Sequence, residues 1–297
     1  RMNRLAACLA AAVLLTGALP VSAQQPTPET NPAGVLFWAP ADRERAFRTM
    51  DTIMPHAPVR RGDTPVRALP PGTPIALDPT AYMQAEKVAG VLVIQDGRIR
   101  LERYGLGIGP QNHWVSFSMT KSLTSTLVGT ALKSGAISSL EDPVTRYLPG
   151  LAGGGYDGVT VRQLLTMTSG VAWDEDYSDP NSDVARFLQE PAFDGRDPVV
   201  TYMARLPRAH PPGTHWNYST GETNLIGTLV AAAERRPLAQ LLSERLWSRA
   251  GMQADAFWAL DQGGREMGGC CVSATLRDWG RIGLMARCRA RNSCSSP

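Results

Sequence analysis

Metal-ligating spacing, surplus charge and long apolar runs are all scarce in this chain of 297 residues. No C-x-x-C or H-x-x-x-H pattern occurs, so the residue types that build zinc sites are present without the spacing those sites need. Five cysteines are too few for a disulfide framework in a chain this long. Cys8 falls near the start, Cys270 and Cys271 are adjacent and not expected to bridge each other, and Cys288 and Cys294 fall near the end. Thirty basic against twenty-seven acidic side chains leave a formal charge of +3, with no Lys/Arg stripe interleaved with aromatics, which removes the footprint of a nucleic-acid binder. Past the opening segment no apolar stretch is long enough to cross a bilayer. Nothing in these patterns calls for a cofactor.

What is present is apolar content for a real core, 43% of residues against 19% charged, which argues against disorder over most of the chain. Residues 1–23 read as a secretory signal peptide: Arg1 and Arg4 flank Met2, "LAACLAAAVLLTGAL" supplies the apolar stretch, and "VSA" offers small residues for cleavage. That reading places the mature protein outside the cytoplasm, in a bacterial periplasm. Residues 24–79, rich in Pro, Thr and Arg, read as an extended arm.

Order is expected from there on. Two strand-like runs in "AGVLVIQDGRIRLERYG" meet at Asp96-Gly97, a strong hairpin signal, with Ile99 and Leu101 alternating against Arg98, Arg100 and Glu102. Leu123, Leu127, Val128, Ala131 and Leu132 then fall at helical spacing, with Gly135 as the stop. Thr160 and Gln163 form a capping-box pair that opens a short helix running to Gly170, and helical spacing dominates from Asp183 to Arg249. A hairpin followed mostly by helices, without alternating βαβ units, gives an α+β class. The expected division is a discontinuous sheet domain (residues 80–155 and 256–286), a helical domain (156–255) and an aberrant tail (287–297).

The chemistry begins at "WVSFSMTKSLTSTLVG". Residues three apart on a helix share a face, so the Lys121 amine can reach the Ser118 hydroxyl. A serine hydroxyl is a weak nucleophile until a neighbouring base takes its proton. On spacing alone an N-cap serine and a solvated lysine is the commoner reading of such a pair. The second element is "PPGTHWNYSTGETNLIG", in which a Pro-Pro-Gly turn delivers Tyr218, Ser219 and Thr220 ahead of a helix expected to begin at Thr223 or Asn224.

Together, "SMTK" and the later P-x-G-x-x-W-x-Y-S-x-G resemble the serine β-lactamase and penicillin-binding-protein superfamily. Within its class C-like branch, "SFSMTKS", "LLTMTSGVAWDEDY", "NYSTGETNLIG" and "SATLRDWGRIG" are most similar to the 6-aminohexanoate-oligomer hydrolases and related carboxylesterases. The likeness runs from about Gly90 to Ala286. It implies an antiparallel sheet flanked by helices, with an inserted helical domain. It also implies that Ser118 is the acylated nucleophile, Lys121 its hydrogen-bonded partner, and Tyr218 the proton carrier to and from Ser118 and the leaving group. A phenol works near neutrality only where an ammonium favours the phenolate, and Lys121 supplies that charge. Thr220 stands where the family often has Asn, which speaks against β-lactam recognition. Tyr177 in "DEDYSDP" matches a tyrosine placed over the substrate amide, and Trp216 is expected to wall the substrate site.

His113 and His215 lie near these motifs without an Asp partner and read as hydrogen-bonding or surface residues, and Asp174, Glu175 and Asp176 as a solvated loop face. The implied partner is a small amide or ester substrate, with neither nucleic acid nor, once the leader is removed, a membrane. A D,D-peptidase, a class C-like β-lactamase and a non-catalytic ligand-binding relative or pseudoenzyme stay open. The superfamily's third motif, a K-T-G or H-x-G-like strand, is not found downstream of Tyr218, and the switch to "RCRARNSCSSP" reads as a frameshift or premature end. Loss of one oxyanion donor typically costs about 10² to 10³ in turnover, so low stability and weak turnover are expected of this chain.

Overall fold

The computed structural model describes Val35 and residues 38–192 and 195–290. The proposed signal peptide and the last residues of the tail lie outside the described residues. In chain order the elements are α1 (Pro40–Ala46), α2 (Met50–Ile53), β1 (His56–Val59), α3 (Thr80–Ala85), β2 (Gly90–Gln95), β3 (Arg98–Tyr104), β4 (His113–Val115) and α4 (Thr120–Ser134). Then follow α5 (Val161–Leu165), α6 (Asp183–Phe187), α7 (Pro198–Met203), α8 (Thr220–Glu234), α9 (Leu238–Leu242), β5 (Ala256–Ala259), β6 (Val272–Thr275) and α10 (Leu276–Ala290).

A four-stranded sheet in the order β1-β5-β6-β4 joins strands far apart in sequence, and every pairing within it is antiparallel. Its first strand corrects the reading of residues 24–79 as an extended arm. The sequence "HAPV" pairs His56 with Ala259 through to Val59 with Ala256, and Val59 is fully buried. Pro58 conceals the strand from a sequence reading, and is tolerated because β1 is an edge where a missing N–H breaks no ladder. Trp38, Ala46 and Met50 are buried with it, so the described part of this segment is packed.

Asp96 and Gly97 both take positive φ, 52° and 76°, which is the two-residue turn that suits a twisted hairpin, and β2 and β3 pair across it. Among the described residues this hairpin makes its own two-stranded sheet. It is tied to α10 instead: Arg277 donates to both carboxylate oxygens of Glu102, at 2.8 and 2.7 Å. Helix α10 continues past Ala286, where the sequence reading began the tail.

Helices α4 and α8 cross the centre of the molecule. Leu123, Leu127, Val128 and Ala131 from α4 and Leu225, Leu229 and Val230 from α8 are buried in one core that reaches Trp258 on β5. Gly135 ends α4 with φ 80°, a left-handed C-cap. The Thr160–Gln163 capping box forms with both reciprocal bonds. Helix α5 stops at Leu165, short of the expected Gly170, because the Thr166 hydroxyl turns back to the Arg162 carbonyl and Met167 takes φ 55°.

Candidate active site

The turn between β4 and α4 is held against β6 before it reaches Ser118. The Ser116 amide donates to the Val272 carbonyl at 2.9 Å, and the Val272 amide returns a bond to Thr120 Oγ1 at 2.9 Å. Between these two anchors Phe117–Met119 make one 3-10 turn, with Phe117 at φ 45°. A bulky residue persists in that region only where its surroundings over-determine it. Ser118 therefore lies in this turn, ahead of the α-helix and not at its N-cap, and its side chain is exposed.

Lys121 sits one turn on. Its ammonium donates to Ser118 Oγ at 3.0 Å, to Thr220 Oγ1 at 3.1 Å and to the Gly269 carbonyl at 2.9 Å. Three donors meeting three acceptors fix the head group completely. Gly269 has to be glycine for this approach: a Cβ there would lie 2.7 Å from Asn224 Nδ2 and 3.0 Å from the Thr220 carbonyl. The Tyr218 ring centre is 5.2 Å from the same ammonium, within cation–π range, and Tyr218 lines a shallow cavity together with Ser118 and Tyr177.

Tyr218 and Thr220 are delivered by the start of α8, which begins at Thr220, earlier than expected. Ser219 is the N-cap, its hydroxyl accepting from the Glu222 amide at 3.0 Å. The reading of Asp174, Glu175 and Asp176 as a solvated face fails at its middle member. Glu175 is half-buried and accepts from the Thr220 amide at 2.9 Å, from Thr220 Oγ1, from Trp173 Nε1 and from the Tyr177 hydroxyl. Its carboxylate thus orients Thr220, the contact of Lys121, and Tyr177, whose hydroxyl also meets Thr220 Oγ1 at 3.2 Å. Burial first, and the Glu175 hydrogen bond second, push the Tyr177 phenol well above its ordinary pKa, so it stays protonated.

Trp216 is not brought in: it is 63% exposed and lines none of the cavities beside Ser118. Trp173 is core, edge-on to Phe187 and Tyr202. His113 hydrogen-bonds the Asp255 carbonyl at 2.8 Å, and His215 stacks on His210 with ring centres 4.2 Å apart. Cys270 and Cys271 are joined by a disulfide, against expectation, where the chain turns with Cys271 at φ 78° to line the cavity of Ser118. Behind the site, Glu222 is buried, accepts from Ser169 Oγ and keeps Oε2 without a hydrogen-bond partner. Burial pushes its carboxyl up to about 7, although Ser169 and Tyr156 pull it down. No cluster of His, Cys, Asp and Glu among the described residues could hold a metal ion.

A serine and a lysine one turn apart thus sit together on an α+β scaffold, with a tyrosine from the start of a second helix beside the lysine. The chain belongs to the beta-lactamase family, whose profile matches residues 80–266. It is similar to the 6-aminohexanoate-dimer hydrolase of Paenarthrobacter ureafaciens, 31% identical over 84% of this chain and 66% of that protein. The chain therefore spans just under two thirds of that relative's length. Among solved structures, a Bacillus anthracis protein assigned as a 6-aminohexanoate-dimer hydrolase superposes with a TM-score of 0.75 at 20% identity, over 88% of this chain and 71% of that one. A class C beta-lactamase superposes with a TM-score of 0.53 at 20% identity, over 68% and 60% respectively. These likenesses bear out the mixed helix and antiparallel-sheet fold.

Proposed function

We propose that this protein is an exported serine hydrolase that forms an acyl-enzyme on Ser118 and cleaves a linear amide or ester, in the manner of 6-aminohexanoate-oligomer hydrolases. The observation that carries this reading is the Lys121 ammonium, 3.0 Å from Ser118 Oγ and held at its other two donors by Thr220 and Gly269. An ammonium with all three N–H groups engaged cannot take a further proton. It favours a developing alkoxide on Ser118, and Tyr218, whose ring centre lies 5.2 Å from that ammonium, takes the proton.

In acylation Ser118 Oγ bonds to the substrate carbonyl carbon as its proton passes to Tyr218. Collapse of the tetrahedral adduct breaks the bond to the leaving amine or alcohol, which takes that proton. Water then attacks the ester, passes one proton to the Tyr218 oxygen, and the acid leaves as Tyr218 returns that proton to Ser118 Oγ. Tyr177, protonated and oriented by Glu175, offers a hydroxyl to the substrate amide. Thr220 gives Lys121 an acceptor without the longer side-chain amide that often stands there in the family, which favours linear substrates over β-lactams. Export to the periplasm rests on the leader-like residues 1–23.

The test is hydrolysis of a p-nitrophenyl ester, a 6-aminohexanoate linear dimer and a chromogenic cephalosporin by the chain and by Ser118→Ala. Turnover of a linear substrate that vanishes in the variant is expected. Turnover confined to the cephalosporin would replace this reading with a β-lactamase.

A further inference from the structure

Ser118 lines two cavities, and the one it shares with Tyr218 is also lined by Arg43 of α1, Phe47, Phe117 and Tyr177. Among the described residues around that cavity, Arg43 alone carries a charge. Its place there is fixed through Phe47. The Phe47 amide donates to the Arg43 carbonyl at 2.9 Å, so both side chains leave the same face of α1, and Phe47 meets Phe117 and Trp114 edge-on with ring centres 5.1 and 5.8 Å away. Arg43 is half-buried and makes no side-chain hydrogen bond or ion pair among the described residues. The carboxylates beside it in sequence, and Glu175 behind Tyr177, are taken: Asp42 pairs with Arg45 at 3.0 Å, Glu44 with Lys87 at 3.2 Å, and Glu175 accepts from Thr220, Trp173 and Tyr177. A surface arginine needs no partner, but this one shares a cavity with the nucleophile.

We propose that Arg43 reads a carboxylate on the leaving half of the substrate, so that the substrate class is an amide or ester of an acid-bearing amine or alcohol. The inference rests on the proposed function for one step, the passage of the proton from Tyr218 to the leaving group. That step puts the leaving half on the Tyr218 side of Ser118, in the cavity that Arg43 lines. A guanidinium keeps its charge at any working pH, and its planar fork of N–H groups matches the two oxygens of a carboxylate. The rings of Phe47, Phe117 and Tyr177 around the same cavity suit the carbon chain that links the scissile bond to the acid. Arg43 is thus a specificity-determining residue, which acts on the far end of the leaving group and takes no part in proton transfer.

Binding alone tests this, apart from the chemistry. N-acetyl ω-amino acids from N-acetylglycine to N-acetyl-8-aminooctanoate, and the matching carboxamides, are titrated into Ser118→Ala, with dissociation constants from ligand-observed NMR. The acid is expected to bind about tenfold more tightly than its carboxamide at the chain length that spans the cavity, the lower end for a hydrogen bond to a charged group, with a smaller ratio at shorter and longer lengths. Adding Arg43→Gln brings that ratio to about one, Arg43→Lys keeps part of it, and salt at about 0.5 M shrinks it. Arg43→Glu turns the preference towards ligands ending in an ammonium, which a merely structural role for Arg43 would not do. Acids and carboxamides binding alike at every length, or an acid preference that survives Arg43→Gln, overturns the proposal. Should Ser118 of the unmutated chain fail to acylate while the Arg43-dependent preference is present, the proposed function falls and the carboxylate site stands. Acylation without any acid preference is the reverse result.

Discussion

Lys121 and Thr220, 99 positions apart in sequence, are joined by a 3.1 Å hydrogen bond. That bond ties the first turn of α4 to the first turn of α8, and on its far side Thr220 is gripped by Glu175. The setting of Lys121 beside Ser118 is thus fixed from three segments, of which the loop carrying Glu175 is the outermost.

Glu175→Gln keeps the shape of this hub and removes its charge. The amide cannot accept from Thr220, Trp173 and Tyr177 together, so Thr220 and Tyr177 lose their fixed positions. A misplacement of about 1 Å near reacting atoms costs about 10²-fold in turnover, and a fall of that order in kcat is expected with little change in thermal stability. Steady-state kinetics beside a thermal melt checks it. An equal fall in Tm would make Glu175 structural only.

Lys121→Met removes the ammonium and leaves a side chain of similar length. The rate of Ser118 acylation is expected to drop by about 10² to 10⁴, the usual span for a lost proton-transfer or charge partner. Stopped-flow measurement of the first turnover with a p-nitrophenyl ester isolates the acylation step.

Glu222 makes stability depend on pH in the direction opposite to most carboxylates. Its folded-state pKa, about 7, lies above its ordinary value of 4.5, so the native state holds more protons than the unfolded state between them. Stability therefore falls as pH rises from about 4.5 to about 7 and levels off above. Glu222→Gln mimics the protonated acid and should abolish this fall, being the more stable form at pH 8 by up to about 3 kcal/mol. Urea denaturation of both proteins at pH 5 and pH 8 measures the difference.

Asp278 anchors the start of α10. It is fully buried and accepts from the Gln253 amide at 2.9 Å, the Ala254 amide at 3.1 Å, Thr275 Oγ1 at 2.9 Å and the buried Arg281 guanidinium at 2.9 Å. Asp278→Ala leaves a buried cation and two amides unpaired, a loss of about 3 to 5 kcal/mol. Denaturant unfolding should show it as a lowered midpoint with an unchanged slope.

Legibility in the sequence followed the range of the interactions. The Asp96-Gly97 turn, the Gly135 stop and the Thr160 capping box are local, and each formed where its residues indicated. Ser118 and Lys121 were legible as a pair because only three residues separate them, and the 3-10 turn that runs into α4 keeps them within 3.0 Å. Glu175 was not, since its partners Thr220 and Trp173 meet it only once α8 and the loop have packed. Strand β1 was hidden by Pro58, and its pairing with β5 spans most of the chain. The Cys270–Cys271 bridge forms across a left-handed turn that nothing in the local sequence announces. Trp216 carried the family pattern and still ended in solvent, because the Pro-Pro-Gly turn that delivers Tyr218 leaves its neighbour two residues earlier outside.

The most direct measurement is the intact mass of the purified chain after treatment with a fluorophosphonate probe, taken alongside Ser118→Ala. One adduct on the unmutated chain, mapped to Ser118 and absent from the variant, is the expected result and shows that the Ser118–Lys121–Tyr218 site acts as an acyl acceptor. A folded sample that stays unmodified, or an adduct that persists in Ser118→Ala, would contradict it.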